Sequence, residues 1–217
     1  SETTVLEIAS LSKTIAAAFA LRHFASENIP MDATVNPILR RAGSTFQLKS
    51  APGLPPEWAA EVTLQHLVDH TAVGMHYVNG VPLSEPMPPV ISLLSGTAEK
   101  PAPYGYSSVE LTKRPGSSFE YSGGGFLVLQ HLLETRGGRP VAEMIAPFLA
   151  ASGTAVARGL SFEQHVPGWR YAIGYKDGDG GAVPGGRLAF PPLAAGALGT
   201  PAALAEWLRQ LAVAYQR

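Results

Sequence analysis

A serine and a lysine near the start of the chain have the types and spacing that nucleophilic catalysis needs. Ser10 and Lys13 are three residues apart, so they lie on one face if the helix that follows them begins near Ser10. A serine hydroxyl attacks a carbonyl when a neighbouring group accepts its proton, and a neutral lysine amine can do this. The pair predicts acyl transfer through Ser10. Ser12 is the weaker candidate nucleophile, because it is adjacent to Lys13 and the two side chains point apart.

A tyrosine before three glycines is the second candidate. Tyr121 and Ser122 precede glycines 123–125, whose missing side chains let the backbone approach another group closely. A tyrosine at such a turn can present its oxygen to a cleft as an acid or a base. A half-buried aromatic beside a glycine turn is the structural alternative. A phosphate loop is a weaker alternative, because no Gly-Lys-Ser/Thr follows.

The serine and lysine also have an ordinary explanation. Serine is a common N-cap, and a Ser-x-x-Lys pattern arises by chance in roughly every chain of this size. A lysine that opens a nearly all-apolar helix is costly unless it is paired or used, which favours the chemical interpretation of Lys13. If the motif is a coincidence in an Ala-rich helical domain, Ser10, Lys13 and Tyr121 will lie beyond roughly 5 Å of one another.

The hydrophobic pattern predicts a mostly helical chain with few strands. Residues 14–25 are apolar nearly all round, which is typical of a helix buried at the centre of a domain. An aromatic segment, 169–175, is bounded by Asp-Gly turns and predicts a strand. Residues 101–118 are rich in Pro, Tyr and Ser and predict an irregular excursion. From the caps and apolar spacing, the predicted helices cover residues 14–25, 63–71, 88–96, 123–138, 140–151 and 200–215.

Composition excludes several classes of function. The net charge is −1 without a long run of one sign, so no nucleic-acid partner is expected. No apolar stretch reaches about 18 residues, which predicts no membrane span. There is no cysteine, and therefore no thiol nucleophile. His66 and His70 are four apart but lack a His-Glu-x-x-His pattern, which favours structural roles; His70 stands out because it ends a helix at a loop.

Taken in order, these segments resemble the serine β-lactamase and penicillin-binding protein superfamily, in its class C β-lactamase and family VIII esterase branch. Residues 5–13 are similar to its strand-to-helix nucleophile motif, and residues 62–71 to its threonine-leucine…histidine-threonine segment. Residues 119–125 resemble the second motif, whose tyrosine carries the proton. Further similarities lie at residues 31–36, 115–116, 183–186 and 195–201.

The resemblance implies an α+β fold of the β-lactamase/transpeptidase type, mostly helical in this chain with an incomplete antiparallel sheet. It implies that Ser10 is acylated, that Lys13 holds or removes its proton, and that Tyr121 is the general acid/base. Gly123 holds the place of the asparagine in the family's usual Tyr-x-Asn motif, a substrate-binding position. Loss of that amide favours esters or unusual amides. The implied substrate is a small-molecule ester, β-lactam or amide, and neither a metal nor an organic cofactor is implied.

The resemblance also predicts how the chain is organised. It implies one β-lactamase-like domain over residues 1–217 that lacks its N-terminal and C-terminal strands, with a mainly helical subdomain over residues 26–165. The family's third motif, Lys-Thr-Gly or His-x-Gly, would be missing together with one wall of the site. On this expectation the chain alone is an inactive fragment of a larger hydrolase. The alternative within the same fold is a non-catalytic protein used for binding or assembly.

Overall fold

Helices make up most of the regular secondary structure, and the strands are few and short. The computed structural model describes residues 3–77, 79–97, 107–178 and 180–216, so part of the predicted excursion at 101–118 lies outside the described residues. In these ranges the helices are α1 (Ser12–Ser26), α2 (Val35–Arg41), α3 (Trp58–Glu61), α4 (Leu64–Val68), α5 (Val90–Ser95), α6 (Gly124–Gly137), α7 (Val141–Ala151), α8 (Thr154–Gly159), α9 (Pro192–Ala195) and α10 (Pro201–Tyr215). The strands are β1 (Thr4–Glu7), β2 (Val81–Pro82), β3 (Leu160–Ser161), β4 (Arg170–Tyr171), β5 (Leu188–Ala189) and β6 (Leu198–Gly199).

The main sheet is small and mixed. Its strand order is β3-β6-β1-β4, and a separate pair joins β2 to β5. β6 is antiparallel to both β1 and β3, whereas β1 runs parallel to β4. The predicted α+β architecture is confirmed, and the sheet differs from the expected purely antiparallel one at this single parallel pair. None of the helices in the described ranges has both the length and the apolar character needed to cross a membrane.

Helix α6 is the most enclosed helix in the described part of the chain. Nine of its first ten residues are buried, and it contacts α2, α4, α5, α7 and α9. Helix α1 contributes a buried face with Ile15, Phe19 and Phe24, but Leu21 is exposed, so α1 is less enclosed than its all-apolar sequence predicted. The core therefore lies around α6, which begins three residues after Tyr121.

Glycine at the start of α6 permits close contact with α4. A Cβ atom at Gly125 would lie 2.8 Å from the carbonyl oxygen of Leu67, a backbone atom that cannot turn aside. We expect Gly125→Ala to lower the free energy of unfolding by about 1–3 kcal/mol through overpacking, measured by urea denaturation. Gly137→Ala is the matched control in the same helix, because its Cβ would meet only the flexible end of the Met144 side chain. An equal loss of unfolding free energy in the two variants would contradict the claim that Gly125 is required for the close contact between α6 and α4.

Two predicted elements are shorter than expected. The strand predicted at 169–175 is confined to Arg170–Tyr171, because the backbone from Gly174 onward bonds to residues 181–186 instead of to β1. Helix α4 ends at Val68, before the predicted end near residues 70–71. There the backbone of His70 adopts a left-handed conformation, with φ +63°, that cannot continue a helix.

Candidate active site

Ser10 stands on a tight turn between β1 and α1. The sequence predicted a helix over residues 14–25, with a start near Ser10 as the condition for placing Ser10 and Lys13 on one face. A 3-10 turn spans Ala9–Leu11, and α1 begins at Ser12, two residues before the predicted helix. Ala9 has a φ of +45°, which an alanine adopts only at an energetic cost. The buried Ser12 hydroxyl holds the turn by donating to the carbonyl of Ala9 and accepting the N–H of Ala197 at 2.9 Å. The turn leaves Ser10 exposed.

Lys13 is buried directly beneath Ser10. Its side chain is only 7% exposed, and its Nζ donates to Ser10 Oγ at 3.1 Å and to the carbonyl oxygen of Ala194 at 2.6 Å. The ammonium also lies 4.9 Å from the ring centre of Tyr121 and 5.8 Å from that of Phe126. Hydrogen bonds and aromatic faces together offset the cost of burying this amine. The carbonyl of Ala194, on α9, was not predicted, since a backbone acceptor has no signature in residue types.

Tyr121 lies beside both residues, on the segment that leads into α6. It is 41% exposed, its ring centre lies 4.9 Å from Lys13 Nζ, and it lines one cavity together with Ser10 and Lys13. Partial burial by itself would raise the pKa of the phenol. Hydrogen bonds from Lys13 and Ser10, with the positive charge of Lys13, outweigh that effect and lower the pKa of Tyr121 below its ordinary value. The three residues therefore converge, and a phenolate is more accessible here than in a free tyrosine.

A cavity of about 160 Å³ opens beside these residues. Gly123, the residue before α6, is part of the cavity wall. The position where the family has an asparagine therefore borders the cavity but has no side chain there. The lining residues in the described ranges are Ser10, Lys13, Met75, His76, Tyr77, Tyr121, Gly123 and Ala195. Residues 75–77 were not predicted to contribute. Their position shortly after the histidine-threonine segment was the one available signal.

The two histidines considered as a metal pair have separate structural partners. His66 Nδ1 accepts the backbone N–H of Thr63 at 3.2 Å, which closes the N-terminal cap of α4. His70 Nδ1 accepts the backbone N–H of Ser122 at 3.1 Å. In the described residues no group of three or more histidine, aspartate and glutamate side chains is arranged to hold a metal ion. The predicted structural roles agree with these contacts.

Solved structures share this fold over nearly the whole chain. EstCE1, a hydrolase with promiscuous acyltransferase activity, is 21% identical over 97% of this chain and 59% of its own, with a TM-score of 0.64. A D-amino acid amidase from Ochrobactrum anthropi SV3 is 18% identical over 98% and 58%, with a TM-score of 0.67. A class C beta lactamase is 21% identical over 96% and 51%, with a TM-score of 0.61. The chain thus spans between half and three-fifths of the length of each.

These similarities define the class of fold as β-lactamase/transpeptidase-like, as the sequence motifs predicted. A family model described as Beta-lactamase matches residues 1–216. The chain therefore belongs to the β-lactamase family, and its identification within the serine β-lactamase and penicillin-binding protein superfamily is confirmed. No protein of curated function matches it in sequence. The roles of Ser10, Lys13, Tyr121 and Gly123 stay predictions.

Proposed function

We propose that the chain carries the nucleophile and proton-transfer groups of a serine hydrolase that acts by two-step acyl transfer. The observation that carries the proposal is the convergence of three groups: Lys13 Nζ is 3.1 Å from Ser10 Oγ and 4.9 Å from the ring centre of Tyr121, and all three side chains line one cavity. Such a set supplies a nucleophile, a proton acceptor and a fixed positive charge at one point.

In the first step, Ser10 is acylated. Because Lys13 Nζ donates to Ser10 Oγ, the hydroxyl proton is free to point away from the lysine, toward the Tyr121 oxygen. Tyr121, as the phenolate, takes that proton while Ser10 Oγ bonds to the substrate carbonyl carbon. The bond to the leaving oxygen or nitrogen then breaks, and Tyr121 returns the proton to the leaving group. The product of this step is an ester between Ser10 and the acyl group.

In the second step, water releases the acyl group by the reverse sequence. The Tyr121 phenolate takes a proton from water, the hydroxide attacks the acyl carbonyl, and Ser10 leaves with the proton that Tyr121 holds. Lys13 keeps one orientation through both steps, since the carbonyl of Ala194 fixes its ammonium at 2.6 Å. The lowered pKa of Tyr121 supports its role as the group that alternates between phenol and phenolate.

The lining of the cavity favours an ester over a peptide-like substrate. Gly123 lines the cavity and has no side-chain amide with which to hydrogen-bond the side chain of a peptide or a β-lactam. Met75 and Tyr77, both exposed at the cavity, offer apolar surface instead. We therefore propose small-molecule esters as the first substrate class, ahead of β-lactams and amides.

A chromogenic ester and a chromogenic cephalosporin, assayed side by side, test this proposal. The chain spans about half of its structural relatives, so the assay uses the longest natural form of the protein that contains it. We expect ester turnover to exceed cephalosporin turnover, and intact mass to show one covalent adduct with a fluorophosphonate probe. Absence of turnover on ester, cephalosporin and D-amino amide, together with no adduct, would support the non-catalytic alternative and refute the hydrolase proposal.

A further inference from the structure

His70 holds the backbone on both sides of Tyr121. Its carbonyl oxygen accepts the N–H of Glu120 at 2.9 Å, and its ring Nδ1 accepts the N–H of Ser122 at 3.1 Å. Between these two bonds, the imidazole lies against the Tyr121 ring, with 4.6 Å between ring centres. One residue thus sets the position of the three-residue segment that presents the phenol.

The backbone of His70 is strained, which points to a requirement for this side chain. Its φ of +63° lies in the left-handed region, where glycine or asparagine is usually less costly. The ring is packed between Tyr121 and Phe126, with 5.5 Å between the centres of His70 and Phe126. The turn at residue 70 could form without an aromatic ring or a side-chain acceptor. His70 nevertheless uses both, its ring against Tyr121 and Phe126 and its Nδ1 as the acceptor for the N–H of Ser122.

The hydrogen bond from Ser122 requires a neutral imidazole. A backbone N–H can only donate, so Nδ1 of His70 must carry a lone pair, and the ring proton of the neutral form sits on Nε2. Protonation would place a second N–H on Nδ1, directly facing the N–H of Ser122. The bond would then be lost, and two donors would oppose each other.

Charged groups around the ring determine when it protonates. Burial lowers the pKa of His70 below its ordinary value, and the positive charge of Lys13 lowers it further, while Asp69 acts in the opposite direction. The Glu120 carboxylate is engaged elsewhere, by Lys113 at 3.2 Å. Because the pKa is lowered, the imidazole stays neutral at neutral pH and becomes charged only as the pH falls through the acid range.

We propose that His70 is a positioning residue: in its neutral form it holds Tyr121 against Ser10 and Lys13, and on protonation it releases Tyr121. The geometric part concerns the conformation of Tyr121 alone. The consequence, an acid limit on acylation set by His70, rests on the proposed function. Asparagine is the informative replacement, because its side-chain oxygen can accept the N–H of Ser122, it tolerates the left-handed backbone, and it does not titrate.

The conformational part is tested by fluorine NMR on the 217-residue chain labelled with 3-fluorotyrosine. The Tyr121 resonance is assigned as the one lost in Tyr121→Phe. On lowering the pH, the wild-type resonance should shift through one acid-range step, and this step should be missing in His70→Asn. A step of unchanged size and midpoint in His70→Asn, or no step in the wild type, would overturn the proposal. This readout needs no enzymatic activity.

The catalytic part is tested by the acylation rate of the longest natural form, measured across pH. At neutral pH we expect His70→Phe, which keeps a ring but offers no acceptor, to lower the rate about tenfold, and His70→Asn to lower it less than about threefold. Ionisation of Tyr121 by itself makes the rate fall toward acid pH, so protonation of His70 should add a steeper fall in the acid range of the wild type, and this additional fall should be missing in His70→Asn. An additional fall that persists in His70→Asn, or an equal loss of rate in both variants at neutral pH, would contradict the positioning role. If the wild type itself shows no acylation, the proposed function is wrong. The NMR experiment then still tests whether His70 holds Tyr121 in position, because it needs no enzymatic activity.

Discussion

Replacing Ser10 with alanine is expected to lower ester turnover by about 10³-fold or more and to abolish labelling by a fluorophosphonate. Ser10 is the one serine among the described residues that line the cavity, and it is the serine that Lys13 contacts at 3.1 Å. Removing its oxygen leaves no hydroxyl in that position for acylation. Turnover is measured with the chromogenic ester, and labelling by intact mass.

Two other serines in helix α1 serve as controls for this prediction. Ser12 is buried and hydrogen-bonded within the turn, so Ser12→Ala should lower the free energy of unfolding by about 1–3 kcal/mol while Ser10 can still be labelled. Ser26 is exposed at the far end of α1, and Ser26→Ala should change neither property. If Ser10→Ala were labelled at the wild-type rate and Ser12→Ala were not labelled, the assignment of Ser10 as the nucleophile would be wrong and Ser12 would take its place.

Replacing Tyr121 with phenylalanine is expected to lower the acylation rate by about 10²- to 10⁴-fold, the usual contribution of a general acid/base. The ring and its packing against His70 are retained, so the loss reports on the oxygen. Because hydrogen bonds and the charge of Lys13 lower the pKa of Tyr121, the wild-type rate should rise with pH and level off below the ordinary pKa of tyrosine. This rise should be missing in Tyr121→Phe.

Stopped-flow measurement of the acylation burst across pH checks this expectation. Tyr215→Phe is the matched control, because Tyr215 is almost fully exposed at the end of α10 and should leave the rate unchanged. A Tyr121→Phe variant that acylates within about threefold of the wild type would remove Tyr121 from the mechanism, since a general acid/base contributes far more. Proton transfer would then fall to Lys13 alone.

Local signals in the sequence were sufficient to predict most helices. Thr63 and Thr200 cap α4 and α10 through their side chains, at the first residues of the helices predicted over 63–71 and 200–215. Gly96 and Gly138 end α5 and α6 in the left-handed conformation, at the predicted ends of the helices over 88–96 and 123–138. Each of these features depends on a few neighbouring residues, so a single sequence contains enough information to locate it.

The details of the candidate site depend on distant contacts and were predicted only in part. Ser10, Lys13 and Tyr121 were selected by type and motif, and the structure brings them together. The carbonyl of Ala194 that holds Lys13 is 181 residues away in the chain and has no side-chain signature. The hydrogen bonds between His70 and the backbone on both sides of Tyr121 likewise depend on the left-handed conformation of His70, which residue types do not predict.

Sheet pairing was the least predictable part of the fold. The segment at 169–175 has the composition of a full strand, yet only Arg170–Tyr171 pairs with β1. The rest pairs locally with residues 181–186, because nearby backbone groups close a short loop at a smaller entropic cost than distant ones. The direction of the β1–β4 pair likewise depends on how the intervening helices return the chain, which strand composition alone does not predict.

The most direct test of the central claim is to locate the covalent adduct. The longest natural form of the protein is treated with a fluorophosphonate, digested, and the modified peptide is sequenced by tandem mass spectrometry. We predict one adduct, on Ser10, that does not form after heat denaturation of the protein, because activation of the hydroxyl depends on Lys13 and Tyr121 in the folded chain. An adduct on Ser12 or on any other residue, or no adduct on the folded protein, would contradict the assignment of Ser10 as the nucleophile.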